Sequence, residues 1–313
     1  MISSPDYVGV DVSKKYLDLA MAGHKVFRVA NTSAGMSGLL PRLASLNRPH
    51  LVCEATGSYS RLLAREMAGQ GIAVSQINPR RVRELARADG RLAKTDAIDA
   101  GVILRFAHLM APEPDPQYDP NVVEMADLVR RRRQMVDMLA QEKQRREHPE
   151  ALQVQASIDA HIGFLGQQIA EIDQAIARHI EADTTLSRRA ELLTTIPGIG
   201  KTTAAVLIAE MPELGSIGNK QAAALAGVAP FNRDSGAMRG QAHIAGGRLS
   251  VRCALYMASL SAIRANPPIR DFYQRLRDQG KPGKLAIVAA MRKLITTANA
   301  VIANDAPWKG KSD

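Results

Sequence analysis

The sequence predicts an α/β domain followed by a mainly helical one, and three observations predict it. Residues 7–77 alternate period-two apolar segments with helical stretches, prolines crowd together near residue 115, and beyond them the apolar spacing becomes that of long helices. At 313 residues two domains are favoured over one, because single hydrophobic cores stop growing near this length. Hydrophobic residues make up 46% of the chain but aromatics only 4%, so its cores must be built from Leu, Ile, Val, Ala and Met, a palette that suits helices.

Val8, Val10 and Val12 fall on one face of a first strand, with Tyr7, Gly9 and Asp11 on the other. After a turn at residues 13–15, Leu17, Leu19 and Met21 alternate in a second strand, and a third lies around residues 26–29. Leu39, Leu43 and Leu46 have helical spacing and precede a strand at 51–54; Leu62, Leu63 and Met67 mark a helix before a strand at 72–77. A three-strand meander followed by helix, strand, helix, strand and helix is the order of a ribonuclease-H-type α/β domain, assigned to residues 1–110. Pro112, Pro114, Pro116 and Pro120 make residues 111–121 a linker, since proline removes the backbone donor that a helix or inner strand needs.

Beyond the linker, Val122, Met125, Val129, Arg132, Val136 and Leu139 recur three and four apart, and Ile158, Ile162, Leu165, Ile169, Ile172 and Ile176 repeat the rhythm after Pro149. Residues 122–185 are therefore expected as a helical, coiled-coil arm about 40 Å long at about 1.5 Å per residue. Self-association and an intramolecular hairpin are both compatible with it. Residues 186–313 read as mainly α, with loops at 212–220, 229–247 and 278–284.

Lysine and arginine total 41 against 31 acids, a net charge of +10 that points to a polyanionic partner, nucleic acid first. A charge that serves only solubility is the alternative. Cys53 and Cys253 form no CxxC pair, so neither a disulfide framework nor a zinc site is expected. Residues 1–6 lack a leader pattern and no apolar run is read as long enough to span a bilayer, so the expectation is a cytoplasmic protein without membrane contact.

Four acids stand out. Asp11 and Glu54 end strands, and Asp96 and Asp99, three residues apart, share one face of a helix. Carboxylates ~4 Å apart repel by about 4 kcal/mol at an effective dielectric of about 20. A converging set therefore calls for a divalent cation, and hard oxygen donors select Mg²⁺ or Mn²⁺. Taken singly, the same residues serve as a helix cap, a turn residue and a surface acid. Arg80, Arg81, Arg83, Arg87, Arg91 and Lys94 lead into the acidic pair and suit phosphate contact, or make up a solvated helix face.

Gly198-Ile199-Gly200-Lys201-Thr202-Thr203 imitates a phosphate-binding loop, but Thr195 stands where such a loop needs its first glycine and no strand precedes it. Residues 196–200 read instead as the turn of a helix-hairpin-helix, with Gly198, Gly200 and Lys201 presented to a DNA phosphate; an ordinary helix turn is the alternative. Ser235 sits in the polar string Phe231-Asn232-Arg233-Asp234-Ser235-Gly236, which is ordinary turn chemistry. Arg233 and Arg239 flank it and suit a phosphate, and His243 is the only local base.

These strings resemble one family. Val8-Gly9-Val10-Asp11-Val12-Ser13, Glu54-Ala55-Thr56-Gly57 and the run from Asn78-Pro79-Arg80 to Thr95-Asp96-Ala97-Ile98-Asp99 resemble the signature of the DEDD transposases of the insertion-sequence-110 type. Ile196-Pro197-Gly198-Ile199-Gly200, Gly227-Val228-Ala229-Pro230, Gly246-Gly247-Arg248 and Met291-Arg292-Lys293-Leu294 resemble that family's second domain. The resemblance implies a RuvC-like domain whose Asp11, Glu54, Asp96 and Asp99 hold Mg²⁺, and a transposase domain whose nucleophile falls on Ser235. It also implies donor and target DNA, a structured guide RNA and a homo-oligomer, dimer or tetramer, as partners. Site-specific DNA invertases of the Piv type share the signature, and a metal-only structure-specific nuclease or a non-catalytic DNA-binding protein are the rival readings.

Overall fold

Val8, Val10 and Val12 are buried on one side of strand β1 (Tyr7–Val12), as their alternation requires. The computed structural model describes residues 4–55, 59–90, 96–115, 119–147, 151–231 and 243–310, with the backbone alone at 96–98. The chain divides into two units, residues 1–118 and 119–313. In the first, β1 is joined by β2 (Tyr16–Met21), β3 (Phe27–Ala30), β4 (His50–Glu54) and β5 (Ala73–Ile77) in the order β3-β2-β1-β4-β5. The meander β1-β2-β3 is antiparallel, whereas β1, β4 and β5 run parallel, with β4 and β5 each reached through helices.

The valine face is covered by α1 (Ser33–Ser37), α2 (Leu40–Ala44) and α3 (Tyr59–Ala68), whose Met36, Leu43, Leu63 and Met67 pack with Leu17, Leu19 and Leu51. The single helix read around Leu39, Leu43 and Leu46 is thus two short ones, with Pro41 in the first turn of α2. The opposite face carries α4 (Pro79–Ala88) and α5 (Asp96–Met110), where Val82, Ile103 and Phe106 meet Tyr7, Val52 and Ile77.

One contact fixes α5. A Cβ built on Gly9 would stand 2.3 Å from the Ala100 carbonyl oxygen and 2.4 Å from the Leu104 amide nitrogen, so the helix backbone rests directly on β1. Two residues earlier along the strand, the Tyr7 ring meets His108 edge-on at 5.5 Å. Helix and strand therefore run antiparallel, and each four-residue step of about 6 Å along α5 matches a two-residue step of about 6.6 Å along β1.

The proline segment after α5 runs beside β5. The Asp115 amide donates to the Val74 carbonyl, the Gln76 amide to the Asp115 carboxylate, and the Ser75 hydroxyl to the Glu113 carbonyl. The expected linker of 111–121 is too long at its far end, because α6 (Pro120–Arg145) starts at Pro120. Proline is suited to a first helical position, where its missing N–H would have no partner, and Asp119 caps the helix through the Asn121 amide.

In the second unit α6 and α7 (Leu152–Ala182) form an antiparallel hairpin, α7 being about 46 Å long at about 1.5 Å for each of its 31 residues. Polar pairs mark its register: Asn121 with Asp183, Arg132 with Asp173, Glu142 with His161 and Arg146 with Asp159. At its base Met125, Val129 and Ile176 join the core of the remaining helices. Those are α8 (Thr184–Thr194), α9 (Lys201–Glu210), α10 (Asn219–Leu225), α11 (Leu249–Ala265), α12 (Pro267–Asp278) and α13 (Gly283–Ala303). A short ladder of β6 (Pro230–Phe231) with β7 (His243–Ile244) interrupts them.

The sequence reading that no apolar run is long enough to span a bilayer is corrected by α13, which is 21 residues long and holds an 18-residue stretch of mean hydropathy 1.5. Its Ala286, Ala290, Leu294, Ile295 and Ala298 are buried in the core of the second unit, so its apolarity is used in packing.

The Gly9 contact predicts opposite outcomes for two glycine-to-alanine changes. Gly9→Ala should lower stability by about 1–3 kcal/mol, because rigid backbone must move to admit the methyl group. Gly101→Ala, inside α5 with nothing within 4 Å of its added Cβ, should raise stability by about 0.5–1 kcal/mol. Urea unfolding of both variants checks the pair, and a Gly9→Ala protein as stable as wild type would contradict the contact.

Candidate active site

The sheet register assembles a polar row. Asp18 pairs across β1–β2 with Asp11 and across β2–β3 with Arg28, while Glu54 pairs with Ile77. The parallel ladder of β1 and β4 is in step through Val10 and Cys53, so its next rung sets Asp11 beside Glu54. In-register neighbours point to the same side of a sheet. Arg28, Asp18, Asp11, Glu54 and Ile77 therefore form one row across all five strands, on the side that α5 covers.

The register between α5 and β1 brings the helical acids to this row. His108 lies at Tyr7, and Ala100 and Leu104 lie at Gly9, so the next step along the strand brings the first turn of α5 level with Asp11. That turn contains Asp99, half-buried like Asp11 and Glu54, and begins at Asp96, whose side chain lies outside the described residues. Among the described residues no three His, Cys, Asp or Glu side chains stand close enough to hold a metal ion. The donor chemistry nevertheless fits a hard divalent cation, since every acid on this face offers oxygen alone.

Sequence reasoning missed Asp18. Its carboxylate is buried and accepts from Arg28 Nε at 3.0 Å and from the terminal Arg28 nitrogen at 2.8 Å. The available signal was a charged residue on the face of β2 opposite Leu17, Leu19 and Met21. Behind the row, on the other face, burial pushes the Cys53 thiol up to about 12, with the Asp115 and Glu54 charges adding to the effect. It is a packing residue.

Ser235, Arg233 and Arg239 lie outside the described residues, as do Arg91 and Lys94. What closes the serine segment is well defined. Phe231 pairs with His243 and Pro230 with Ile244, and the segment then passes Gly246 and Gly247, both with positive φ. A Cβ on Gly247 would stand 2.2 Å from the Gly227 amide nitrogen, so the two chain ends touch backbone to backbone. Arg252 donates to the Gly246 carbonyl, and Arg248 donates to the Glu210 carbonyl and grips both Glu213 oxygens. Burial alone would raise the Glu213 carboxyl, but the hydrogen bonds and charge of Arg248 outweigh it and hold the group below its usual range.

Residues 196–200 link α8 to α9, and Gly200 precedes the first turn at Lys201. Gly198 takes a φ of +107°, and its absent Cβ would lie 2.5 Å from the Ala262 Cβ, so the turn is seated on α11. In the first unit Arg80, Arg81, Arg83 and Arg87 are all exposed on α4. Arg80 pairs with Glu84, and the Arg81 guanidinium lies over the Phe106 ring.

Comparison with known proteins agrees with both units. A family model for DEDD transposases of the IS110 type, described as "Transposase", matches residues 8–148. Another, described as "Transposase IS116/IS110/IS902 family", matches residues 190–274. The pilin gene-inverting protein of Moraxella bovis is 30% identical over 319 residues, a stretch covering 97% of this chain and 98% of that one. The corresponding protein of Moraxella lacunata is similar to the same extent. The insertion element IS110 uncharacterized 43.6 kDa protein of Streptomyces coelicolor is 28% identical over 136 residues, 43% of this chain and 34% of that one. Because the similarity runs through both units and spans nearly the whole of a relative, the chain belongs to the IS110-type transposase family, a family of DNA transposases and recombinases.

Proposed function

We propose that the chain cuts and rejoins DNA through a serine nucleophile assisted by a carboxylate-bound divalent metal. The observation that carries this reading is the position of Asp11 and Glu54 on the sheet face that α5, with Asp99 in its first turn, covers, in a member of this transposase family. The first unit then acts as a RuvC-like, ribonuclease-H-type domain in which these three acids and Asp96 would hold Mg²⁺ or Mn²⁺. Such an ion supplies Lewis-acid stabilisation of charge on the phosphate. Ser235 Oγ loses its proton, forms a bond to phosphorus and displaces one deoxyribose oxygen, which is protonated as it leaves. The phosphoserine link conserves the phosphodiester bond energy, so rejoining is the same attack in reverse by a DNA hydroxyl. A serine hydroxyl is a poor nucleophile near neutral pH, and the carboxylate site is the natural source of its activation.

Arg233 and Arg239 beside the serine, the turn with Gly198, Gly200 and Lys201, and Arg80, Arg81, Arg83, Arg87 and Lys94 serve as phosphate contacts on donor and target DNA. They position the duplex without reading it, which leaves sequence choice to a structured guide RNA. Strand exchange needs two cut sites held together, hence a homo-oligomer, dimer or tetramer, in the cytoplasm. Exposed apolar residues on the α6–α7 hairpin, Leu152 and Phe164 among them, favour that hairpin for self-association.

A second reading, site-specific inversion, is favoured by coverage: the pilin gene-inverting protein is matched over 98% of its length, the insertion-element protein over 34%. A plasmid carrying an invertible segment and a separate target separates the two, since only a transposase inserts into the target.

Trapping on supercoiled donor DNA tests the serine directly. Wild type should give a protein–DNA adduct stable in detergent, and Ser235→Ala should bind DNA but give neither adduct nor strand exchange. Recombination by Ser235→Ala would leave a metal-only nuclease as the better account. Asp11→Asn and Asp99→Asn should abolish cleavage in Mg²⁺ while melting like wild type, and wild-type recombination by either would refute the carboxylate assignment. Mixed oligomers of Ser235→Ala and Asp11→Asn subunits, shown to form, regain activity only when serine and carboxylates meet across a subunit interface.

A further inference from the structure

Residues 264–293 carry eight cations against two acids, a net +6 in a chain whose total is +10. They span the end of α11, the whole of α12 and the first half of α13. Helices α12 and α13 lie antiparallel: the Lys293 ammonium donates to the Pro268 carbonyl at the start of α12, and the loop at 279–282 joins the other ends. Ile269 is buried on the inner side of α12, while Arg270, Arg275 and Arg277 are exposed, as are Lys281, Lys284 and Arg292 beyond it.

Two features set this surface apart from a merely solvated helix face. The first is its charge balance. Solvated faces mix signs and satisfy themselves through pairs three or four residues apart, as Arg130 with Asp127 does elsewhere in the chain. Of the two acids here, Asp271 meets Arg270 at 3.4 Å, and Asp278 accepts from Gln274. Among the described residues Lys281, Lys284 and Arg292 have no ion pair. The Phe272 ring lies beneath two further cations, the Arg275 guanidinium at 5.5 Å and the Lys293 ammonium at 4.9 Å, which holds like charges together against their repulsion.

The second feature is attachment. Asn266, 1% exposed at the junction of α11 and α12, donates from its side-chain amide to the Pro197 carbonyl, and its side-chain oxygen caps α12. Gly198 of the same turn is pressed against Ala262. The cationic hairpin is thus fixed to the turn that leads into Lys201.

We propose that the α12–α13 hairpin is a sequence-independent contact surface for the phosphate backbone of duplex DNA, continuous with the turn at residues 196–200. The proposal rests on the reading that this chain acts on DNA. Helix α12 is about 18 Å long, and a duplex presents a charge about every 1.7 Å of its axis, so several cations of the hairpin reach phosphates at once. No side chain in the hairpin need read a base for this contact.

The test uses the full chain and a fluorescent 30-base-pair DNA duplex of arbitrary sequence, with affinity measured by anisotropy across a salt series. Lys281→Gln, Lys284→Gln and Arg292→Gln combined should reduce the slope of log K against log salt by about 2 to 3, at about 0.9 per phosphate released. Affinity near physiological salt should fall at least tenfold for every duplex sequence, with an unchanged melting temperature because all three side chains are exposed. Lys281→Arg, Lys284→Arg and Arg292→Lys combined should keep the wild-type slope. A wild-type slope in the glutamine variant, with wild type itself binding DNA, overturns the hairpin surface alone. Failure of wild type to bind duplex DNA at all overturns the DNA reading and this surface with it. Loss confined to a duplex RNA of the same sequence overturns the assignment to DNA.

Discussion

The missing side chain of Gly9 is the constraint on which the first unit depends. Helices usually pack on sheets through interdigitating side chains. Here the Ala100 carbonyl and Leu104 amide occupy the volume a β-carbon would need, so α5 is drawn down onto the central strand. Its register is then set by backbone contact, with Tyr7 against His108 further along. The same register aligns the opening turn of the helix, with Asp96 and Asp99, beside the ends of β1 and β4. A glycine inside a strand ordinarily weakens it. In β1 the absent Cβ is what admits the backbone of α5.

Electrostatics explains why such a site needs its neighbours. Asp11 has Asp18 opposite on one side and Glu54 on the other, three acids in adjacent strands of one row. Like charges directly across a ladder are destabilising. Arg28, the next residue in that row, neutralises Asp18 with two hydrogen bonds and leaves Asp11 and Glu54 as the acids nearest the turn of α5. The charge of this row is therefore graded, positive at the β3 edge and negative at the centre.

Much of this was legible in the sequence, for identifiable reasons. Strict alternation in Val8-Gly9-Val10-Asp11-Val12 gave both the strand and the face of Asp11. The glycine-flanked turn at residues 196–200 fell between two helices as its composition requires. The role of Gly9 was hidden, because close approach by a helix some ninety residues away is a tertiary fact that no local pattern encodes. Asp18 was hidden for a related reason: its partner Arg28 stands on another strand. The apolarity of α13 is masked in the sequence because Arg292 and Lys293 interrupt a run whose buried side chains lie in the core. Pro120 looks like a breaker among its neighbouring prolines, yet it stands at the first helical position, where proline is well tolerated.

The central claim is that Asp11, Glu54 and the acids opening α5 form a single cation site. Titration of wild type with Mn²⁺, followed by electron paramagnetic resonance, measures that site without DNA, RNA or turnover. Saturable binding should be seen in wild type. It should weaken in each of Asp11→Asn, Glu54→Gln and Asp99→Asn by more than the roughly tenfold that even an outer-shell change costs. Binding of wild-type strength in all three variants, or none in wild type, would contradict the account.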